Sequence, residues 1–391
     1  MRTTHWRTLT GTIVVIVISS LIWLAPSPHV ATANLPAQIS DSTFWQMVND
    51  FSERGGFFRS DNFVSNEWEF QFVISELKKE RAPGGVYIGV GPDQNFTYLV
   101  ALEPKIAFIV DIRRQNMIQH LMYKALLEMS SDRADFLSRL FSRPRPDDLA
   151  VDDSANQLLR AFIETNPDEE LFDQNLKAMT DYLTVQHQFK LTSEDLKSLE
   201  YVFTAFYEGG PNLTYSFGVG QGANQTFSRS GGGGYRAGGP RGMPSYAQLM
   251  MQTDQEGHNR SYLANAENFR ILQDLERRNV IIPIVGDFAG ANAIREIGRY
   301  LKEHDATVTA FYTSNVEQYL FQQSDDWKRF YSNVATLPLD SKSIFIRSVA
   351  SGRRYLTPGA RASLLCPISD LLMSFRTGSL DSYSDVIRMS H

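Results

Sequence analysis

The sequence predicts an α/β protein with a mostly parallel sheet, and three observations support this fold class. Two short apolar segments, 86–90 and 106–110, are separated by a glycine turn and a helix-length stretch. The second segment is apolar throughout, which is typical of a strand covered on both faces. Strand and helix patterns alternate again between residues 280 and 347. This order of elements predicts a doubly wound sheet.

The composition of the 391-residue chain is that of a globular, mildly acidic protein. Hydrophobic residues make up 42% and charged residues 21%, and the net charge is −6. These values exclude a mainly disordered, collagen-like or polytopic membrane protein, and we expect no nucleic-acid partner. The single cysteine, Cys366, excludes an internal disulfide and a cysteine-based zinc site, and we expect a packed, unreactive thiol. The seven histidines show no metal-ligand spacing.

Residues 1–33 have the features of a targeting segment. Two arginines precede the apolar run 13–25, and Ala31-Thr32-Ala33 provides a small-residue cleavage pattern. A cleaved signal peptide and an uncleaved signal anchor are both open, since no charged residue occurs between Thr8 and Ser40. Either alternative predicts an exported body, periplasmic, extracellular or anchored to the inner membrane. A membrane would then be a partner only through the uncleaved segment.

The rest of the chain divides by composition and periodicity. We expect an N-terminal helical segment, a Rossmann-like domain and a C-terminal extension, over 34–82, 83–350 and 351–391. Within the domain we expect a helical insertion at 130–208 and a glycine-rich loop at 209–245, with a linker and a lid as alternatives for the loop. The apolar spacing of Phe44, Met47, Val48 and Phe51 predicts a first N-terminal helix, and a second is expected over 67–79. Further helices are expected at 94–102, 114–129, 266–278, 291–303, 316–321 and 325–334, and further strands at 280–285, 307–312 and 343–347.

The first candidate binding element is the turn after the first predicted strand. In open parallel sheets, ligands bind beyond the carboxyl ends of the strands. Gly89 and Gly91 allow a tight turn and close approach of a ligand, and the next helix begins near Asn95. Gln94 replaces the third glycine of GxGxxG, so a turn without a ligand is an equal alternative. Asp93 would repel a pyrophosphate, which favours a cationic, phosphate-free ligand such as a sulfonium nucleoside.

The second candidate element is the end of the next predicted strand. Asp111 follows Gly91 by 20 residues, and an acid at this offset can accept hydrogen bonds from ribose hydroxyls. Capping of the following helix is the alternative role. Arg113 is a candidate for binding an anionic group, with exposure to solvent as the alternative.

Three further polar residues follow later predicted strands and are candidates for a catalytic role. Asp287, Asn315 and Glu317 could lie on one rim of the sheet. There they would orient a substrate amine or hydroxyl, or act as a base. Helix capping explains the same residue types equally well.

These motifs resemble those of a known superfamily. GGVYIGVGPDQNFT and IAFIVDIRR resemble the first two motifs of class I S-adenosylmethionine-dependent methyltransferases. The resemblance implies that Gly89 and Gly91 pass under the methionine part of the ligand and that Asp111 holds the ribose. VIIPIVGDFAG resembles the fourth strand with its substrate-facing motif, which matches Asp287. The body from about 41 to 350 also resembles an uncharacterised bacterial family with this fold, through GVGPDQNFTY, VDIRRQN, GDFAG and FYTSNVEQYLF.

The resemblance implies a methyltransferase-like protein whose small-molecule ligand is S-adenosylmethionine or a related nucleoside. The acceptor is not indicated by the motifs. The alternative is an exported or membrane-anchored binding or scaffold protein that keeps the fold without catalysis. Export favours this alternative, because S-adenosylmethionine is not expected outside the cytoplasm.

Overall fold

A six-stranded sheet organises the part of the chain that the computed structural model describes, residues 34–80, 83–216, 243–349 and 363–391. Its strands are β1 (Val86–Gly89), β2 (Ile106–Asp111), β3 (Ile281–Val285), β4 (Val308–Ser314), β5 (Ile344–Ser348) and β6 (Ser363–Pro367). Their order is β3-β2-β1-β4-β5-β6. Strands β1 to β5 are parallel, and β6 pairs antiparallel with β5. The order reverses between β1 and β4, which is the switch point of a Rossmann-like sheet.

Every residue of β1, β2, β3 and β5 is buried, so both faces of the sheet are covered, and the predicted fold class is confirmed. The described helices are α1 (Asp41–Phe51), α2 (Ile74–Glu80), α3 (Gln94–Leu102), α4 (Arg114–Met129), α5 (Arg133–Phe141), α6 (Ala155–Glu164), α7 (Glu169–Asp181), α8 (Ser193–Gly209), α9 (Tyr246–Met251), α10 (Ala266–Arg277), α11 (Ala293–Glu303), α12 (Val316–Leu320), α13 (Asp326–Val334), α14 (Ile368–Arg376) and α15 (Tyr383–Arg388). A π-helical turn, Tyr182–Gln186, follows α7.

The N-terminal segment differs from the sequence-based expectation. The second helix begins at Ile74 instead of residue 67, and residues 52–73, here called the crossing segment, form no helix. Asn62 and Glu69 have φ angles of 52° and 66° within it, which interrupt a helix. The backbone nitrogens of Gly56 and Glu53 donate to the carbonyl oxygens of Ile112, at 2.8 Å, and of Val285, at 2.9 Å. The crossing segment therefore runs across the carboxyl ends of β2 and β3.

The C-terminal extension contributes to the sheet. Residues 363–367 form β6 beyond the expected domain end at 350, and α14 and α15 follow. Antiparallel edge strands on otherwise parallel sheets are common in this class of fold. Cys366 lies in β6 and is buried, and burial raises the pKa of its thiol.

Two expectations fall largely outside the described residues. The targeting segment 1–33 lies wholly outside them, and so do residues 217–242 of the glycine-rich loop. Across the described ranges, no helix combines the length and apolarity needed to cross a bilayer.

A buried ion pair connects β5 to the turn after β4. The guanidinium of Arg347 donates through Nε and Nη2 to the carboxylate of Glu317, and both side chains are almost fully buried. The hydroxyl of Tyr331 also donates to Glu317 Oε1, at 2.6 Å. Breaking such a pair leaves an uncompensated charge inside the protein, which is far more costly than losing an exposed pair.

We expect Arg347→Met to lower the free energy of unfolding by about 3–5 kcal/mol, because it leaves the Glu317 carboxylate buried without a cation. Urea denaturation measures this loss. The control is Lys177→Met, which removes an exposed pair with Asp181 and is expected to cost less than about 1 kcal/mol. Equal small losses in the two variants would contradict this role for the buried pair.

Candidate functional site

One cavity lies at the carboxyl ends of β1, β2, β3 and β4. It contains about 880 Å³ of unfilled space, part of it open to solvent. Gly91 and Asp111 both line it. They share one cavity because β1 and β2 are neighbours, with Gly89 paired to Ile109. The crossing segment supplies a further wall, with lining residues Phe57, Phe58, Asn62, Ser65, Asn66 and Glu67.

The glycine turn after β1 is held from inside the protein by Asn95. The Asn95 side-chain amide donates to three consecutive carbonyl oxygens, those of Val90 at 2.9 Å, Gly91 at 3.3 Å and Pro92 at 2.7 Å. Its own oxygen accepts from the hydroxyl of Tyr87, at 2.8 Å. Asn95 is fully buried and is not among the cavity-lining residues. It therefore positions the turn instead of contacting a ligand.

Two glycines and a histidine complete this turn. Gly91 has a φ of 79°, and its Cα faces open space, so a ligand can approach its backbone. A side chain at Gly89 would bring Cβ within 2.0 Å of Asn95 Oδ1. His120 Nε2 lies 2.9 Å from the carbonyl oxygen of Gly91, and burial lowers the pKa of His120 to about 4. The neutral imidazole therefore donates its Nε2–H to this carbonyl.

Asp93 faces away from the cavity. The hydroxyl of Tyr262 donates to Asp93 Oδ2 at 3.1 Å, and Tyr246 lies 2.7 Å from Tyr262, oxygen to oxygen. Asp93 is buried, and burial raises its pKa to about 7. The sequence suggested a carboxylate facing a ligand at the turn. The structure corrects this placement, because the side chain packs among tyrosines.

Asp111 lines the cavity as an ion pair with Arg113. Its Oδ1 accepts from the backbone nitrogen and Nε of Arg113, at 2.9 and 3.0 Å, and its Oδ2 accepts from Nη2 at 2.8 Å. Arg113 Nη1 also donates to the carbonyl oxygen of Asp61 in the crossing segment. A carboxylate offers about four acceptor positions, so one remains for a ribose hydroxyl. Arg113 is already paired and is not a free cation for an anionic group.

Asp287 lies beside Asp111, on the β3 side of the cavity. The segment GDFAG follows the third strand, which corrects its expected place after the fourth. Asp287 Oδ1 accepts from the backbone nitrogen of Ala289 at 2.8 Å. The carboxylate of Glu53, in the crossing segment, accepts from the backbone nitrogen of Asp287 at 3.0 Å. These contacts fix the turn and place Asp287 in the cavity wall.

The two remaining candidates, Asn315 and Glu317, both follow β4, but only one of them lines the cavity. Asn315 lines the cavity immediately before α12. Glu317 instead points into the protein, where Arg347 pairs with it. The expectation that Glu317 faces an acceptor is therefore incorrect in its placement, because the buried guanidinium holds the carboxylate on the other side of the turn.

Glu67 is a cavity residue that sequence reasoning missed. It is 5% exposed, and its Oε1 accepts from the hydroxyls of Tyr312, at 2.7 Å, and Ser314. Burial raises the pKa of Glu67, and hydroxyl groups of Ser314, Tyr312 and Ser348 act in the opposite direction. The sequence did not indicate this role, because Glu67 lies in a stretch with helical apolar spacing and far in sequence from any strand end.

Two polar atoms of this cavity make no hydrogen bond. Gln94 Nε2 donates to the hydroxyl of Tyr312, which in turn donates to Glu67. Gln94 Oε1 and Glu67 Oε2 are buried and have no hydrogen-bond partner within the described structure. Both residues line the cavity. A buried polar atom without a partner costs about 1–3 kcal/mol, so a ligand donor that reaches these atoms gains binding free energy.

The cavity is acidic. Its charged lining residues are Glu67, Asp111, Asp287 and Arg113, and the single guanidinium is paired with Asp111. A phosphate group would meet carboxylates without an unpaired cation among these lining residues, which is unfavourable. Within the described ranges, no group of three or more His, Cys, Asp or Glu residues could hold a metal ion.

The fold is that of a Rossmann-like α/β protein, and the cavity lies at the switch point of its sheet. The chain belongs to the family described as "Domain of unknown function (DUF7790)", which it matches over residues 62–365. A search of curated proteins finds no match to the chain. The matched range includes Glu67 and the carboxyl ends of all four strands that border the cavity.

We expect Asp93→Asn to change how stability depends on pH. In the wild type, the pKa of Asp93 rises from 3.8 to about 7 on folding, so the folded state binds more protons between these pH values. Stability attributable to this group therefore falls as pH rises from about 4 to about 7. The free energy of unfolding of the variant, relative to that of the wild type, should therefore increase by about 2–3 kcal/mol between pH 5 and pH 8. Urea denaturation at the two pH values tests this, and parallel profiles would refute it.

Proposed function

We propose that the cavity binds S-adenosylmethionine or a closely related sulfonium nucleoside, and that the protein transfers its methyl group to a small acceptor. The observation that carries the proposal is the shared cavity of Gly91 and Asp111 at the switch point. Rossmann-like sheets bind nucleotide ligands at this place, with an acid after the second strand on the ribose.

The lining residues support one orientation of the nucleoside. Its ribose would lie at Asp111, which retains one acceptor position. The base would lie on the β3 side, against Ile112 and Phe288. The 5′ substituent would then pass the open face of Gly91 toward the end of β4, where Ser314 and Asn315 line the cavity.

The charge of the cavity supports a cationic ligand over a dinucleotide. A sulfonium carries a positive charge and no phosphate, and Glu67 lies at the end of the cavity where we place it. The carboxyl group of Asp93 does not contribute to this preference, because it faces the tyrosines instead.

Methyl transfer requires little from the protein beyond positioning. The bound sulfonium supplies an electrophilic methyl group and leaves as a neutral thioether. The protein would hold donor and acceptor in line, which is worth several orders of magnitude in rate. Asn315, Ser314 and Glu67 are the polar residues at the end of β4 that would orient the acceptor.

A non-catalytic binding or scaffold protein with the same fold is the second candidate. The pairing of Arg113 favours this second candidate, because Arg113 already occupies three acceptor positions on the Asp111 carboxylate. Export through the leader at 1–33 belongs to this candidate, since the body would then lie away from the cytoplasmic supply of S-adenosylmethionine.

Calorimetry with the full chain tests the nucleoside proposal. We expect saturable binding of S-adenosylmethionine and S-adenosylhomocysteine, weakened about tenfold or more by Asp111→Asn, which removes the charge that strengthens the ribose hydrogen bond. The control is Asp195→Asn, which alters a similar bidentate pair with Arg114 outside the cavity. No binding at millimolar nucleoside would rule out the proposal and favour the second candidate.

A further inference from the structure

We propose that Glu67 and Gln94 form an ammonium-binding subsite at the β1–β4 end of the cavity, and that this subsite holds the amino group of the methyl acceptor. The inference rests on the proposed function and adds the substrate class, an amine carried on an apolar or aromatic body. Nothing in the family description assigns either residue.

The first observation is the pair of acceptor atoms without partners. Tyr312 connects Glu67 and Gln94 through one hydroxyl, so the two side chains are neighbours. Each retains a buried oxygen, Glu67 Oε2 and Gln94 Oε1, that makes no hydrogen bond with the described residues. Two neighbouring acceptors need a ligand group with several donors. An ammonium group offers three N–H donors and no acceptor, as a lysine side chain does.

The second observation is the charge of this end of the cavity. The Glu67 carboxyl group is almost fully buried, and the side chains that interact with it are neutral hydroxyls, those of Tyr312, Ser314 and Ser348. The one cation in the lining, Arg113, is paired with Asp111. A buried carboxylate without a cation is costly, and a ligand cation would compensate its charge.

The third observation concerns the body that carries the amine. The same cavity has a largely apolar and aromatic wall, formed by Phe57, Phe58, Val316, Tyr319 and Leu320. The rings of Phe58 and Tyr319 contact edge to face, with centroids 5.4 Å apart. Phe57 is 87% exposed, which is unusual for a phenylalanine and leaves its ring free to cover a bound molecule. These walls fit a hydrophobic or planar group.

The subsite also accounts for the proton in an amine methylation. The ammonium transfers one proton to Glu67 Oε2 and becomes an amine with a free lone pair. The lone pair forms the N–C bond to the methyl carbon while the C–S bond breaks, and its electron pair stays on sulfur. The products are a methylated ammonium, a neutral thioether and protonated Glu67, which then loses its proton to solvent. A raised carboxyl pKa suits this acceptance of a proton.

Binding of two matched probes tests the subsite. Phenethylamine and 2-phenylethanol share an aromatic body, but only the first carries an ammonium group at neutral pH. We expect the full chain to prefer phenethylamine by about tenfold or more, and Glu67→Gln to abolish this preference. The control is Glu276→Gln, the same substitution at another buried glutamate whose pKa burial raises to about 8, away from the cavity. It should leave the preference unchanged.

Three outcomes would contradict the proposed subsite. Equal binding of the two probes, or the same loss in both variants, would overturn the subsite. A tenfold loss of S-adenosylhomocysteine affinity in Glu67→Gln, with no change for 5′-methylthioadenosine, would assign Glu67 to the amino group of the donor and would also overturn it. Should Glu67→Gln fail to fold, Gln94→Met decides, with an expected loss of about threefold or more in phenethylamine affinity.

Failure of the subsite and failure of the proposed function give different results. The probe titrations are run with and without S-adenosylhomocysteine. A preference for phenethylamine that depends on Glu67, in a protein that binds no nucleoside, would retain the ammonium subsite as a binding site and remove methyl transfer. Nucleoside binding without the preference for phenethylamine would retain the proposed nucleoside site and overturn the ammonium subsite.

Discussion

The side-chain amide of Asn95 fixes the part of the molecule on which the candidate site depends. It donates to the carbonyl oxygens of Val90, Gly91 and Pro92, so one buried side chain holds three consecutive carbonyls of the turn. With these carbonyls held inward, the Cα of Gly91 faces open space. Asn95 thus keeps the backbone of Gly91 accessible from the cavity, although Asn95 itself does not line it.

The charges of the cavity form two regions with different chemistry. At the β2 end, Asp111 and Arg113 neutralise each other and leave one acceptor position for a neutral donor such as a hydroxyl group. At the β4 end, Glu67 has only neutral partners, so that end favours a cation. A ligand that is polar and uncharged at one end and positive at the other satisfies both regions. A sulfonium nucleoside has this distribution, and so does a bound nucleoside together with an amine.

The sequence predicted β1, β2 and β3 well because every residue of these strands is buried, so their apolar runs depend on no particular neighbour. It missed β6, which is only partly buried and pairs at the edge of the sheet. It also placed Gly91, Asp111 and Asp287 near strand ends, as in the structure. Glu317 shows why side-chain direction escaped prediction. Its position in the first turn of α12 suits a site residue, but Arg347, 30 residues later, holds its carboxylate inside. Glu67 escaped prediction for the converse reason, because only tertiary contacts bring it to β4.

The crossing segment is what turns a common sheet into a specific cavity. A doubly wound sheet supplies strand ends at its switch point, but these ends alone provide neither Glu67 nor the aromatic wall at Phe57 and Phe58. The family match begins at residue 62 and so includes the part of the segment that carries Glu67, together with the strands that the sheet alone would require. The conformation of this part depends on Asn62 and Glu69 in left-handed geometry, which costs conformational free energy unless surrounding contacts compensate it. This conformation supports a role for the segment in shaping the cavity, and under our proposal the selectivity for a ligand would lie there more than in the glycine turn.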